Sequence, residues 1–147
     1  MKKIGIIGAG VMGSGIVQKT AQEGLSVVMV DIKPEFVEKG LNNIRESLGQ
    51  AVERQILKPE QVEVTLGRIQ GTTDLVDTKD CDLVIEAIFE DMAAKKELFE
   101  KLDRICEPKT ILATNVHSIS RTEIYQIGAR LGKELCAESR RNIFLVN

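Results

Sequence analysis

The hexapeptide GAGVMG, residues 8–13, restricts the fold of this chain more than any other segment. It places Gly8, Gly10 and Gly13 in the spacing G-x-G-x-x-G, directly behind a short apolar run, KIGIIG (3–8). It also opens a helical pattern, VMGSGIVQKTAQEG (11–24), in which Val17, Thr20 and Ala21 share a side and Gly24 is the stop. Each glycine has its own reason: the first permits a tight strand-to-helix turn, the second lets a pyrophosphate approach the backbone, and the third lets helix and strand pack closely. Free N–H groups and the positive end of the helix dipole then face the phosphates. SVVMVD (26–31), rich in β-branched residues, is a second buried strand whose last residue is Asp31, 18 residues past Gly13. An acid there accepts hydrogen bonds from an adenine ribose and repels a 2′-phosphate, which favours NAD over NADP. Gly8, Ala9, Gly10, Val11, Met12, Gly13 and Asp31 are therefore the candidate cofactor-binding residues. The competing interpretation is a tight turn in an unrelated α/β protein, with Asp31 only ending a strand.

Strand and helix patterns continue to alternate. Pro34 opens a long helix, PEFVEKGLNNIRESLGQAVERQIL (34–57), with Val37, Leu41, Ile44, Leu48 and Val52 in steps of three or four. A short helix follows Pro59 with Val62 and Leu66 inward, and RIQGTTDL is a weaker strand candidate. CDLVIEAI (81–88) is a strong strand and MAAKKELFEKLDRIC (92–106) an amphipathic helix with Leu98, Phe99, Leu102 and Ile105 on one face. TILATN (110–115) is the next strand, Ser120 and Glu123 have the form of a capping box, and NIFLVN is either a last strand or the start of a lost connection. The pattern predicts an α/β fold: a Rossmann-type doubly wound, mostly parallel sheet in a single domain spanning 1–147.

Composition narrows the partners. A net charge of −2 and a pI near 5.6 give no reason to expect nucleic acid or an anionic membrane surface. No run reaches the roughly 18 apolar residues of a membrane span. Cys81, Cys106 and Cys136 form neither a CxxC metal pattern nor a disulfide framework. The expectation is a cytoplasmic protein with reduced thiols and no metal.

In an open parallel sheet the ligand lies beyond the carboxyl ends of the strands. Besides the glycine loop and Asp31, that edge carries Glu90 and the segment Asn115–Ser118. Glu90 can accept a bond from a cofactor hydroxyl, or it can be charge at a helix start. Asn115 can hold a substrate carbonyl or the nicotinamide ribose, or serve a turn. Lys95, Lys96 and Lys101 form a solvated helix face on the general exposure of lysine. His117, the chain's single histidine, is a general-base candidate by its pKa, but no carboxylate is placed to orient it, so a solvated loop histidine is the stronger reading.

KIGIIGAGVMGSGIVQKTAQEGLSVVMVDI, CDLVIEAIFEDMAAKKELFEKLD and TILATN together resemble the NAD-binding domain of 3-hydroxyacyl-CoA dehydrogenases, including the bacterial 3-hydroxybutyryl-CoA dehydrogenases. The similarity runs from Met1 to about Ile124, with a divergent or rejoined tail over 125–147. It implies hydride transfer between NAD and the 3-hydroxy/3-oxo group of an acyl-CoA. It also implies that Glu90 and Lys95 lie at the cofactor, Asn115 beside nicotinamide and substrate, and Ser47 and Arg54 at coenzyme A. Arg54 stands where the family often has a lysine.

The chain departs from the family twice. TNVHS replaces the family's TNTSS, so His117 takes the place of a substrate-contacting serine and only Ser118 of that pair remains. The family's catalytic histidine, in a strand ending like HFFNP with a glutamate beyond it, has no counterpart here. After Ile124 the chain instead resembles the stretch before the family's helical C-terminal domain. The expectation is that an internal segment and that second domain are lacking, and that no residue of the chain is a confident catalytic group. The alternatives are an inactive dinucleotide-binding remnant, or a dehydrogenase for another hydroxy acid. The family's dimer contacts come largely from the second domain, so exposed apolar surface here could drive formation of a homo-oligomer instead.

Overall fold

The computed structural model describes residues 1–115 and 143–146. Chain order is β1 (Lys3–Ile7), α1 (Val11–Gln22), β2 (Ser26–Val30), α2 (Pro34–Glu53), α3 (Pro59–Leu66), β3 (Ile69–Thr72), a 3-10 turn (Leu75–Thr78), β4 (Leu83–Glu86), α4 (Met92–Ile105), β5 (Ile111–Asn115) and β6 (Ile143–Val146). The strands form one sheet in the order β3-β2-β1-β4-β5-β6, and every pair is parallel. This is the expected doubly wound α/β architecture. The order reverses between β1 and β4, so the crevice for a ligand opens where Ile7 lies opposite Glu86.

Both faces of the sheet are covered, which is why its strands are short continuous apolar runs rather than alternating ones. Ile4, Ile6, Val27, Met29, Ile85 and Ala113 face α1 and α2, where Val17, Ala21, Ile44 and Leu48 complete one core. Ile7, Val28, Val30, Val84 and Leu112 face α4, whose Leu98, Phe99 and Leu102 complete the other. The buried thiols Cys81 and Cys106 belong to this second core, and burial pushes the Cys81 thiol up to about 12.

Three local details shape the frame. Gly24 ends α1 at φ +90°, with its N–H bonded to the Ala21 carbonyl, as its position after the helical pattern predicts. The second helix ends at Glu53 rather than at residue 57. Gln55 turns left-handed at φ +59°, and Ile56 N–H closes onto the Ala51 carbonyl at 2.8 Å. Gly40, inside α2, lets that helix lie on the glycine loop: a Cβ there would stand 2.8 Å from the Ala9 carbonyl oxygen. The helix accepts a cost of about 1 kcal/mol for a mid-helix glycine in exchange for that approach. Among the described residues no helix is long and apolar enough to cross a membrane. The capping box at Ser120 and Glu123 lies outside the described residues.

At the opposite end of the sheet one carboxylate clamps two strands. Asp82 Oδ2 accepts the N–H groups of Lys2 at 2.6 Å and Lys3 at 3.1 Å, joining the start of β1 to the start of β4. These two bonds hold the Asp82 carboxyl below the usual carboxylate range. A carboxyl whose folded pKa is depressed stabilises the fold above its unfolded pKa, near 3.9, and loses that contribution as pH falls through the folded value. Asp82→Ala should therefore lower the urea midpoint at pH 7. The gap from the parent protein should narrow steadily below about pH 4, and a gap unchanged at pH 2.5 would contradict this account.

Candidate dinucleotide site

The glycine loop joins β1 to α1 at the switch point, and its three glycines answer to different demands. Gly8 adopts φ +112°, donates its N–H to the Val30 carbonyl at 2.8 Å, and would bring a Cβ within 2.5 Å of the Ala87 carbonyl oxygen. A Cβ on Gly13 would stand 1.8 Å from the Gly8 carbonyl oxygen. Close approach of the end of β4 at Gly8, and of α1 to the end of β1 at Gly13, excludes any side chain at these two positions. Gly10 is different. Its φ of −68° suits any residue, and a Cβ there would meet no atom of the described residues within 4 Å. Nothing in the packing of the described residues requires glycine at that point, whereas close approach of a pyrophosphate does.

Helix α1 begins at that opening with no side-chain cap and no acidic residue in its first turn. The first N–H groups of a helix have no intrahelical acceptor and carry the positive end of the dipole. Here no side chain of the described residues caps them, which leaves them available to solvent or to an anion. Val11 and Met12, in the same turn, are 84 % and 49 % exposed, so nothing in the described fold covers them. These features fit a bound pyrophosphate.

Asp31 does more than end a strand. Its Oδ2 accepts the Ala9 N–H at 2.7 Å and its Oδ1 the Ile32 N–H at 2.7 Å. The carboxylate is thus fixed across the tip of the glycine loop, and each oxygen keeps a lone pair for a further donor such as a ribose hydroxyl.

Beyond β4 the chain builds a buried ionic cluster. Lys95 Nζ lies 3.3 Å from Glu86 Oε2 and 3.4 Å from Glu90 Oε1, with the lysine side chain 5 % exposed and Glu86 0 %. Lys95 is therefore not part of a solvated face, in contrast to Lys101, which is exposed and paired with Glu97. Its phase gives it away: Lys95 stands three and four residues before Leu98 and Phe99, on the buried stripe of α4. Asp91 caps α4 by accepting the Ala94 N–H at 2.9 Å, so Glu90 is spared that task and is free to hold Lys95. Glu86 carries no role in the sequence reading. The available signal was an acid inside a strand covered on both faces.

Asn115 ends β5 next to Thr114, in line with the Glu86 end of β4. Ser47 and Arg54 are exposed, two turns apart along the outer side of α2 and its end. The structure thus gathers the glycine loop, Asp31, Glu90, Lys95 and Asn115 along one edge of the sheet, and sets Ser47 and Arg54 on a helix surface. His117 and Ser118 lie outside the described residues.

This arrangement defines a dinucleotide-binding domain of the dehydrogenase type. The family model described as "3-hydroxyacyl-CoA dehydrogenase, NAD binding domain" matches residues 3–135, and the chain belongs to that family. It is 47% identical over 128 residues to a probable 3-hydroxybutyryl-CoA dehydrogenase of Deinococcus radiodurans, covering 87% of this chain and 46% of the relative. A probable 3-hydroxybutyryl-CoA dehydrogenase of Bacillus subtilis is 43% identical over 130 residues, covering 88% of this chain and 45% of the relative. The crystal structure of (S)-3-hydroxybutyryl-CoA dehydrogenase from Ralstonia eutropha superposes with a TM-score of 0.81 at 38% identity, over 86% of this chain and 45% of that one. The chain spans a little under half the length of these relatives. The match carries on past Ile124, and NAD is the cofactor of the matched domain.

The contrast between the glycines is testable. Gly10→Ala should keep folding stability within about 1 kcal/mol, the ordinary cost of a poorer helix cap, while weakening NADH binding strongly. Gly13→Ala must push α1 off β1 and should cost roughly 1–3 kcal/mol or more in chemical denaturation. Equal stability loss in the two variants would refute the assignment of Gly10 to ligand approach.

Proposed function

We propose that this chain is the cofactor-holding part of an NAD-dependent 3-hydroxyacyl-CoA dehydrogenase acting on 3-hydroxybutyryl-CoA or acetoacetyl-CoA. The observation that carries the cofactor half is the open space at Gly10, under an uncapped helix and beside a fixed Asp31. The substrate half rests on the names of the relatives. Bound NAD supplies the hydride chemistry, and the chain's residues bind and orient. Gly8–Gly13 take the pyrophosphate on backbone N–H groups, Asp31 accepts from the adenine ribose, and Glu90 and Lys95 stand at the cofactor's other end. Asn115 contacts the nicotinamide side and the substrate. Ser47 and Arg54 meet coenzyme A, where an arginine suits a phosphate through paired N–H donors, His117 contacts the substrate, and Ser118 the substrate or the nicotinamide. The place of action is the cytoplasm.

Proton transfer is the step these residues leave open. The sequence holds one histidine, His117, in a position matching a substrate-contacting serine. The 147-residue chain should accordingly bind without appreciable turnover. Calorimetric titration of the purified chain with NADH, then with acetoacetyl-CoA, tests each half separately. NADH should bind, and NADPH at least about tenfold more weakly, since ~1.4 kcal/mol of repulsion at Asp31 suffices for that factor. Failure to bind NADH overturns the cofactor reading, and failure to bind acetoacetyl-CoA overturns the substrate reading alone. Robust NADH-dependent reduction of acetoacetyl-CoA that survives His117→Ala would show that a proton donor exists elsewhere in the chain.

A further inference from the structure

Glu86 takes part in none of the roles above, yet it is the most deeply buried charged side chain among the described residues. It is the last residue of β4 and uses both oxygens. Oε1 accepts the Ile88 N–H at 2.7 Å, while Oε2 accepts the Thr114 hydroxyl at 2.5 Å and lies 3.3 Å from the Lys95 ammonium. Those partners belong to three elements: the β4–α4 connection that carries Glu90, the first turn of α4, and the end of β5 beside Asn115. The same strand end is pressed against the glycine loop, since Ala87 N–H bonds the Ile7 carbonyl at 2.8 Å.

Stability gives no reason for such a pair. Taking two charges out of water is unfavourable, and apolar side chains of the same volume usually hold a fold as well or better. What the pair does provide is a fixed ammonium. Lysine is otherwise a point charge on a flexible four-carbon stem. Here the stem is buried, and the head sits between Glu86 and Glu90 at 3.3 and 3.4 Å.

We infer that Glu86 is a positioning residue of the NAD site: a single buried carboxylate sets the mutual placement of Glu90, Lys95 and Asn115, and acts on the cofactor through Lys95 without touching it. This rests on the role proposed above for Lys95.

The test is a double-mutant cycle read by NADH calorimetry, with thermal unfolding in parallel, on the parent chain, Glu86→Gln, Lys95→Met and the double variant. Lys95→Met should weaken NADH binding about tenfold or more, the usual scale for a hydrogen bond to a charged group. Glu86→Gln should weaken it roughly threefold to tenfold in the parent, and by less than about twofold once Lys95 is gone. The double variant should melt above Lys95→Met, which leaves a buried carboxylate without its counter-charge. A plain structural brace would instead weaken binding by the same factor in both backgrounds, and that additivity overturns the inference. Glu86→Asp keeps the charge but withdraws it from Lys95. Undiminished NADH binding by a folded Glu86→Asp overturns the inference even if Lys95→Met is too unstable to titrate. Failure of the parent chain to bind NADH overturns the cofactor reading and this inference together. NADH binding by the parent with additive losses overturns only the latter.

Discussion

Everything at the ligand edge depends on how closely α1 can be set against the end of β1. Gly13 lies against the Gly8 carbonyl at a distance no side chain could tolerate, and Gly8 lies in turn against Ala87 at the end of β4. That pair of contacts aims the first turn of α1 at the crevice between β1 and β4. It also fixes where Ala9 falls, and hence which N–H Asp31 can capture from the neighbouring strand. Gly40 extends the same logic to α2, whose backbone rests on Ala9. Three separate elements close on the loop, and its shape owes little to its own side chains.

Charge is deployed very unevenly over this frame. The pairs Lys19–Glu23, Lys101–Glu97 and Lys109–Glu107 are exposed, and solvent screens them to little consequence. The Glu86–Lys95 pair is nearly dry, and stranding one member of such a pair typically costs about 3–5 kcal/mol. A single contact of that size is comparable to much of a small domain's net stability, about 5–15 kcal/mol. The beginning of α4 is accordingly tied to β4 and β5 by ions and hydrogen bonds, while the rest of that helix is held by Leu98, Phe99 and Leu102.

The sheet was legible in the sequence because strands buried on both faces become compact β-branched runs, and because GAGVMG and Asp31 sit in a context few other folds provide. The boundaries that escaped are those set by hydrogen bonds without a residue-type signature. Gln55 turns left-handed with no glycine to announce it, and the 3-10 turn at Leu75–Thr78 depends on Asp74 accepting the Val76 N–H. Within the site, Gly8–Gly13, Asp31 and Glu90 could be picked out by position along the strand ends. Lys95 needed its helical phase to be weighed above the general exposure of lysine. Glu86 required noticing that a strand covered on both faces contains an acid, and only the fold shows that Thr114 and Lys95 meet it there.

The bare first turn of α1 has a consequence for how this domain balances its own robustness against its affinity. Most helices protect that turn with a serine, threonine or aspartate, a gain of about 1 kcal/mol over alanine and about a few tenths of that over glycine. Here the turn has neither a capping side chain nor an acid. Among the described residues the protein therefore goes without the small stabilisation that a capping side chain at Gly10 would add, and those donors stay available to an anion. Selection for thermal endurance of the empty form and selection for tight capture of the dinucleotide would pull this one turn in opposite directions.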